Sequence, residues 1–573
     1  MRISYIKENL KAIGFRNLGG ILLLVVMWKA VPILQSYLTK YMILTLEDHV
    51  WHDVLIIVIF MIGVWIFSTI MNAYEQNLRQ LARTRSETNG AICIRKKLCN
   101  LPGSFFENAN NIDLLRQAED NCDIAYDIFL SLVGILISIP ASLACVIPMI
   151  SIIPEVVLAV GVLTLIHMCV GIKCSELDYL QYLRGMENER KRGYYKSIIY
   201  QPETEKEIKA FDAGEWLLSK YDCVSKNIFH EVNRRNRKNS IFILAANVFS
   251  LVVKIVYWII VSIRVMDGRI GLSDGILFIG LWNSVYSLLD GIRGDAADAV
   301  QHIKKYKSVS AFFSINEDRA RQKDVLEIDS IALSKVSFRY PGRRKNALTD
   351  ICATFYRGKC YLLLGENDAG KSTLIKLILK HYRPDNGEIV INGTIDIGQM
   401  QEPYVGYMEQ DSIHYSLSVR DNIVFGREYD EKRLQEALDR AGIREMIDSL
   451  PDKENTLLGK NYEDGAELSG GQWQRISLAR LLYSDSALII LDEPTARMDT
   501  IAEQKLYKKI KEIFWDRIVI IISHRLSSVN IADEIIVLSD GRIMGIGTHE
   551  DLMQTCETYQ TLWKMEDSIR HVL

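Results

Sequence analysis

Apolar residues are distributed very differently in the two halves of the chain. The first half holds six segments that are long and apolar enough to cross a bilayer as helices, at about 18–40, 53–75, 125–148, 152–174, 240–263 and 270–292. The second half is an ordinary mixture of apolar and polar residues, in which short apolar runs are typical of strands. A polar, charged stretch at 316–323 separates the halves. This pattern predicts an all-α membrane domain over 1–315 and a soluble α/β domain over 326–573.

Basic residues are concentrated in only some of the segments that connect the spans. Lys and Arg are frequent before the first span, between the second and third spans, and between the fourth and fifth spans. Because cytoplasmic connections carry the excess of Lys and Arg, the N-terminus and both long connections are predicted to be cytoplasmic. Both connections keep helical periodicity with alternating charge. We therefore expect the spanning helices to extend into the cytoplasm and to turn near 101–111 and 200–203.

The first residues of the chain have an amphipathic pattern. The apolar residues of 3–13 share one helical face, and Lys7 and Lys11 lie on another. This pattern fits a helix that lies in the membrane interface, or an ordinary amphipathic helix. No small-residue cleavage site follows the first apolar segment, so this segment is predicted to be a retained membrane helix and not a signal peptide.

Three ionisable residues, Lys29, His167 and Lys254, fall inside predicted spans. Such residues are costly in a membrane and usually face a cavity or a partner. Lys29 and Lys254 fit a basic, water-accessible cavity for an anionic or carboxylate-bearing substrate. They fit equally well a lysine that snorkels, or one that pairs with Glu155 or Asp274. His167 is predicted to be a satisfied core histidine.

A phosphate-binding loop is the strongest motif in the second half. The apolar run at 361–364 predicts a strand, the segment Gly365–Thr373 follows, and the run at 374–379 predicts a helix. Backbone N–H groups at such a strand–loop–helix junction form an anion-binding concavity at the positive end of a helix. Lys371 is expected to reach the β- and γ-phosphates of a nucleotide, and the Ser372 hydroxyl to ligate Mg²⁺.

Two further segments extend this nucleotide site. The run at 487–491 predicts a buried parallel strand that delivers Asp492 and Glu493 to its carboxyl end. Asp492 is expected to hold Mg²⁺, and Glu493 to act as the general base toward the attacking water. The segment 468–472 again places glycines and a serine at a helix start. One nucleotide site does not need two phosphate-binding helix starts. We therefore predict two nucleotide sites, each shared between the nucleotide-binding domains of two chains.

Composition narrows the classes of function only slightly. The chain has 68 Lys and Arg against 71 Asp and Glu, which gives no argument for a nucleic-acid partner. The ten cysteines form no C-x-x-C pair and no Cys/His cluster, which argues against structural zinc and against a disulfide framework.

These motifs resemble those of the ATP-binding-cassette transporter family, in its exporter branch. Leu468–Gln472 matches the family signature without a change, and the resemblance covers nearly the whole chain. It implies a P-loop ATPase cassette with an antiparallel β subdomain and a helical subdomain, attached to six membrane helices. Segments 105–107 and 205–211 look like the family's two intracellular coupling regions.

The resemblance also implies roles for single residues. Tyr340 would stack on adenine, Gln410 would sense Mg²⁺, and His524 would be the switch histidine on the γ-phosphate. Ser469 and Gly471 would contact the γ-phosphate bound by a partner cassette, and Asp499 would be the D-loop aspartate. The implied nucleotide-binding set is Tyr340, Gly365, Asn367, Gly370, Lys371, Ser372, Thr373, Gln410, Ser469, Gly470, Gly471, Gln472 and Asp499.

The chain departs from the family pattern at two points. Asp368 stands where the family usually has a small residue, and Asp tolerates positive φ better than most residues do. Its carboxylate is expected to lie near the phosphates and to weaken ATP binding relative to an Asp368→Gly variant. The D-loop at 496–499 reads Ala-Arg-Met-Asp where Ser-Ala-Leu-Asp is common, which affects the expected communication between the two sites.

The sequence therefore predicts a half-transporter that exports a substrate by alternating access, with ATP and Mg²⁺, as a dimer. A homodimer is favoured because Lys371, Glu493 and the signature are intact, and a heterodimer stays open. The expected location is a bacterial-type plasma membrane, with the cassette in the cytoplasm. Peptides, lipids and amphipathic drugs all remain open as substrates. The alternative function is a nucleotide-gated channel or regulatory membrane protein on the same scaffold.

Overall fold

The computed structural model describes residues 2–150, 154, 156–317, 327–399, 405–410, 413–459, 462, 464–494, 500–523 and 526–570. The chain divides into two compact units. The first comprises Met1–Asn100 and Asn108–Asn316, and the second comprises Leu101–Glu107 and Glu317–Leu573. The short segment Leu101–Glu107 thus groups with the C-terminal unit, although the rest of the N-terminal half does not.

The first unit is helical throughout its described elements. They are α1 (Arg2–Ile13), α2 (Phe15–Glu47), α3 (Trp51–Leu98), α4 (Ala109–Asp120), α5 (Ile124–Ile150), α6 (Val156–Tyr200), α7 (Pro202–Ala210), α8 (Gly214–Met266) and α9 (Leu272–Ser314). Within the described residues, six of these helices, namely α2, α3, α5, α6, α8 and α9, are long and apolar enough to cross a membrane. The prediction of six spans is confirmed.

Four of the six long helices run far past their apolar stretches. The sequence predicted this for the helices on either side of the two long connections, and α3, α6 and α8 agree, whereas α5 has only 27 residues and the extension of α9 was not predicted. Helices α3, α6, α8 and α9 have between 43 and 53 residues, about twice what a bilayer requires. Prolines interrupt only α2 and α5 among the six. Both predicted turns occur, because α3 ends at Leu98 before a short 3-10 helix, and Pro202 starts α7 directly after α6. Proline suits the first turn of a helix, where its missing N–H has no partner to lose.

Helix α9 forms the centre of the first unit and packs against α5, α6 and α2. Its fully buried side chains recur at three- and four-residue intervals, as a helix with one covered face requires. They include Leu281, Val285, Leu289 and Ile292. The stacked rings of Trp282 and Tyr257, with centroids 4.5 Å apart, join α9 to α8.

The N-terminal helix α1 packs on protein. Ile13 and Tyr5 are buried, and the Tyr5 hydroxyl donates a hydrogen bond to the Cys122 carbonyl at 2.7 Å. Helix α1 contacts α3 and α5. Neighbouring helices thus cover Tyr5 and Ile13, and the interfacial position of α1 stays a prediction.

The second unit combines two sheets with helices. Its strands are β1 (Ser330–Phe338), β2 (Leu348–Tyr356), β3 (Cys360–Leu364), β4 (Asn386–Ile391), β5 (Ile395–Asp396), β6 (Val405–Met408), β7 (Leu488–Asp492), β8 (Ile518–Ile522), β9 (Glu534–Ser539) and β10 (Arg542–Gly547). Its helices are α10 (Lys371–Ile378), α11 (Val419–Val424), α12 (Glu431–Ala441), α13 (Arg444–Asp448), α14 (Gly470–Ser484), α15 (Thr500–Ile513), α16 (His549–Thr555) and α17 (Glu557–Arg570).

The sheet topology positions the candidate site. The larger sheet has the order β10-β9-β3-β8-β7-β6, and all its pairings except β10 with β9 are parallel. Strands β3, β7 and β8 are almost entirely buried, as parallel strands between helices are. The smaller sheet, β2-β1-β4-β5, is antiparallel. This arrangement, with the helical group α11–α14, confirms the predicted fold class.

Strand β1 joins two segments that the sequence predicted as separate strands, 331–333 and 336–340. The register shifts between Leu333 and Val336, and Lys335 between them has a φ of 49°. A bulge of this kind inserts an extra residue and flips the side-chain alternation. The alternating pattern breaks at this point although the strand continues.

Candidate functional site

The phosphate loop has the backbone that its glycines and Asp368 were expected to allow. It connects β3 to α10, with a φ of 65° at Asp368 and 104° at Gly370. A side chain at Gly365 would collide with the carbonyl oxygen of Leu538, so glycine is required there for packing. Asn367 and Ser372 are exposed at the mouth of the loop. The left-handed conformation of Asp368 agrees with the prediction that Asp can replace a small residue here.

Lys371, the first residue of α10, is held at the loop by main-chain oxygens. Its ammonium group donates to the carbonyls of Gly365 at 2.6 Å and Glu366 at 2.8 Å. Burial lowers the pKa of Lys371, while the carboxylates of Glu493, Asp492 and Asp368 act in the opposite direction. The structure therefore brings the predicted phosphate-binding lysine into the electrostatic range of Glu493, the predicted general base, and of Asp492, the predicted Mg²⁺ ligand.

The two acids lie where β7 ends. Strand β7 is one strand away from β3, with β8 between them, so Asp492 reaches the same edge as the phosphate loop. Glu493 has a φ of 44°, and its backbone N–H donates to the Ile522 carbonyl at 3.0 Å. The Gln410 amide donates to the Glu493 carboxylate at 2.8 Å. Gln410 and Glu493, predicted from separate motifs, are thus in direct contact.

Asp492 lies in a concentration of negative charge. Burial raises its pKa, and the carboxylates of Glu493 and Glu409 raise it further. The Tyr407 hydroxyl donates to Asp492 at 3.4 Å and opposes this rise. A cation bound here would offset the repulsion between these acids.

The residues predicted to bind Mg²⁺ fit that ion by their chemistry. Ser372, Gln410 and Asp492 offer a hydroxyl, an amide and a carboxylate, the hard oxygen donors that Mg²⁺ prefers. In the described part of the chain, no group of three or more His, Cys, Asp or Glu side chains could hold a metal ion. Beside a nucleotide, Mg²⁺ usually takes phosphate oxygens and waters as its further ligands.

The signature segment forms the start of α14. Ser469 is the N-cap, and a capping box joins it to Gln472, with the Ser469 N–H donating to the Gln472 side chain at 2.7 Å. Gly470 and Gly471 are exposed in the first turn. Within the described residues, the hydrogen bonds of Ser469 and Gln472 are those of this cap and of the helix itself. None of these bonds reaches the phosphate loop of the same chain.

Tyr340 lies beside the helix that follows the phosphate loop. Its hydroxyl is 3.2 Å from the Thr373 hydroxyl, and its ring contacts Tyr382 edge to face at a centroid distance of 5.4 Å. The Lys376 ammonium lies 5.6 Å from the centre of the Tyr340 ring. The predicted base-stacking aromatic and the predicted phosphate loop are therefore parts of one surface.

Three predicted features lie outside the described residues. They are His524, Asp499 and the rest of the D-loop at 496–498. The roles that the resemblance implies for them stay predictions.

Some residues at the site had no assigned role in the sequence. The Gln474 side chain donates to the carbonyl of Pro494, which links the signature helix to the residue after Glu493. Tyr407 reaches Asp492 because β6 pairs in parallel with β7. The neighbouring Gln410 motif could have suggested Tyr407, but the strand pairing could not be read from a single sequence.

The ionisable residues of the membrane unit are mostly partnered. The Lys29 ammonium donates to the Ser138 hydroxyl at 2.5 Å and interacts electrostatically with Asp295. The proposed partner Asp274 pairs instead with Lys40 at 2.7 Å, and Glu155 lies outside the described residues. Both alternatives for Lys29, a cavity-facing charge and a partnered lysine, stay predictions.

The other two ionisable residues of the spans differ from each other. His167 is fully buried, and its Nε2 lies 2.9 Å from the Ser250 hydroxyl, as a core histidine should. The Lys254 ammonium lies 4.6 Å from the centre of the Trp258 ring, a cation–π contact. The basic cavity suggested by Lys29 and Lys254 stays a prediction.

Known proteins match the chain along most of its length. Residues 348–496 match the family model described as ABC transporter. The chain is 28% identical to the subtilin transport ATP-binding protein SpaT of Bacillus subtilis, over 98% of this chain and 91% of that protein. It is 26% identical to the nisin transport ATP-binding protein NisT of Lactococcus lactis subsp. lactis, over 69% of this chain and 68% of that protein.

A solved structure agrees with the fold. A bacterial Atm1-family ABC exporter with ATP bound matches with a TM-score of 0.80 at 20% identity, over 96% of this chain and 98% of that one. The family model covers the phosphate loop and the acid pair, and six apolar helices precede it. Residues 348–496 therefore belong to the ABC transporter family, and the chain is a multi-pass membrane protein with the exporter fold whose cassette hydrolyses ATP to drive export.

Proposed function

We propose that two copies of this chain form the working exporter and that each nucleotide site is completed by the partner's signature segment. The contact between Gln410 and Glu493, beside Lys371, supports catalysis in every copy. The capping box supports the shared site, because Ser469 is already placed at an exposed helix start with no bond to its own phosphate loop. A heterodimer with a related chain is the second candidate.

In this proposal the residues at the sheet edge divide the work of hydrolysis. Lys371 and the loop N–H groups bind the phosphates, and the Gln410 amide orients the Glu493 carboxylate, which takes the proton of the attacking water. Mg²⁺, when bound by Ser372 and Asp492, supplies neutralisation of phosphate charge. ATP binds the closed pair of cassettes more tightly than the open pair. This difference in affinity shifts the membrane unit from a state open to the cytoplasm to a state open to the outside.

We propose a peptide as the substrate. The similarity to a protein named for subtilin transport covers nearly the whole of both chains, so it includes the membrane helices as well as the cassette. A basic cavity at Lys29 and Lys254 would suit a peptide as well as an anionic amphiphile. Lipids and amphipathic drugs are the competing substrate classes. The basic connections favour a cytoplasmic cassette on a bacterial plasma membrane.

The test is ATPase activity of the purified protein in lipid nanodiscs, alone and with peptides, phospholipids and cationic dyes. Glu493→Gln should lower turnover by about 100-fold or more while ATP binding persists, because the general base is lost. Glu388→Gln is the matched control, since Glu388 is exposed on β4. Peptides should stimulate the wild-type protein more than the other classes do.

Other outcomes separate the alternatives. Near-normal turnover of Glu493→Gln would mean that another residue is the base. Stimulation by lipids or dyes alone would reject the peptide proposal and leave the ATPase intact. ATP binding with no turnover, together with a nucleotide-dependent conductance in planar bilayers, would favour the channel.

A further inference from the structure

The segment Leu101–Glu107 packs against the cassette and forms hydrogen bonds with it. Its Ser104 N–H donates to the His381 carbonyl at 3.1 Å. A side chain at Gly103 would lie 2.8 Å from the His381 ring, so the close approach depends on a glycine at that position. The segment ends at Glu107, which makes the strongest contacts.

The Glu107 carboxylate accepts two hydrogen bonds from cassette residues. One oxygen accepts from the Lys376 ammonium at 2.7 Å, and the other accepts from the Tyr382 hydroxyl. Partial burial raises the pKa of Glu107, but these two hydrogen bonds outweigh it and lower the pKa overall. Glu107 is therefore ionised at neutral pH and holds both donors in fixed positions.

Both donors also touch Tyr340. Tyr382 contacts the Tyr340 ring edge to face, and Lys376 lies over the same ring. Lys376 is on α10, the helix that begins at the phosphate loop. Glu107 thus fixes two of the groups that surround the ring, although it does not touch the ring itself.

We infer that Glu107 is a positioning residue for the base-binding half of the nucleotide site, acting through Tyr382 and Lys376. This inference rests on the proposed stacking of adenine on Tyr340. Stacking depends on the angle and position of the ring, which the two held side chains restrict. Since coupling between sites is reciprocal, adenine bound on Tyr340 also strengthens the binding of the segment Leu101–Glu107 to the cassette.

The test separates the base from the phosphates. Binding of Mg-ATP and of inorganic tripolyphosphate is measured by equilibrium titration on the full-length protein in nanodiscs. Glu107→Gln should weaken Mg-ATP binding by about 3- to 10-fold, a part of what a base–aromatic stack supplies, and should leave tripolyphosphate binding unchanged. Tyr382→Phe should act in the same direction, and Glu119→Gln, exposed on α4, should change neither ligand.

A second measurement asks whether Tyr340 carries the effect. In a Tyr340→Ala background, Glu107→Gln should cause no further loss of ATP affinity, because the ring it positions is absent. Equal losses for ATP and tripolyphosphate would overturn the inference in favour of general support of the phosphate loop. Unchanged ATP binding in Glu107→Gln would overturn it as well. If Tyr340→Ala alone leaves ATP affinity unchanged, the proposed role of Tyr340 fails while the ATPase function stands.

Discussion

The cassette unit and the membrane unit place their charged side chains in different ways. At the edge of the cassette sheet, Asp492 and Glu493 share a small volume, and burial and mutual repulsion raise the pKa of Asp492. In the membrane unit, several charged side chains form ion pairs, as Lys40 does with Asp274 and Glu75 does with Arg79. The cassette charges are arranged for a ligand, whereas the membrane charges are arranged for each other.

This difference follows from what surrounds each charge. Water reaches the sheet edge and screens its charges, and a bound cation would offset the repulsion between the two carboxylates. Lipid offers no polar partner, so a charge within a span must find one on its own helix or on a neighbouring helix. Removing a charge should therefore change ligand binding in the cassette and stability in the membrane unit.

The largest expected effect is in the membrane unit, at Lys29. Lys29→Met should lower the stability of the protein by about 1–3 kcal/mol, because Asp295 then loses its compensating charge. Asp295→Asn in the same chain should restore part of this loss. The measurement is thermal unfolding of the single and double variants in nanodiscs.

The pair Lys40 and Asp274 serves as the matched control. It is partly exposed, so Lys40→Met should cost less than about 1 kcal/mol. Strictly additive effects of the Lys29 and Asp295 substitutions would contradict the view that these two charges balance each other.

A smaller effect is expected in the cassette, at Asp368. Asp368→Gly and Asp368→Asn should both tighten ATP binding by about 2- to 5-fold, because each removes a negative charge near the phosphates. Neither should change the unfolding temperature much, since both residues accept the positive φ. Equal or tighter binding by the wild type would defeat the prediction. If Asp368→Gly tightens ATP binding and Asp368→Asn does not, the effect would come from the backbone conformation and not from the lost charge.

The smallest effect concerns the pH dependence of turnover. Asp492 must be ionised to act, and its pKa is raised, so this requirement is met above the raised pKa and lost as the pH falls through it. Glu409→Gln removes a repelling carboxylate and should move the acid limb of the pH–rate profile to lower pH. Tyr407→Phe removes a donor to Asp492 and should move it to higher pH. Shifts of the two variants in the same direction would contradict this account.

The sequence predicted best what is local in the chain. Residues 365–373 specify a loop by Gly365 and Gly370 between an apolar run and a helix, and the six spans follow from long apolar runs, so both appear where expected. Partners that are distant in the chain could not be predicted. Glu107 meets Tyr382, and Lys29 meets Ser138 and Asp295, only because packing brings different helices or segments together. A single sequence shows which residues are present, but it does not show which distant residues come into contact.

The unbroken length of α8 has a mechanical consequence. Its 53 residues form a rod of about 80 Å, against a hydrocarbon layer of about 30 Å. A tilt of about 5° at one end of such a rod displaces the other end by about 7 Å. Because α8 contains no proline while α2 and α5 do, bending is easiest in the latter two. Helix α8 is thus suited to act as a lever, in which a small rotation at one end gives a large displacement of the other end.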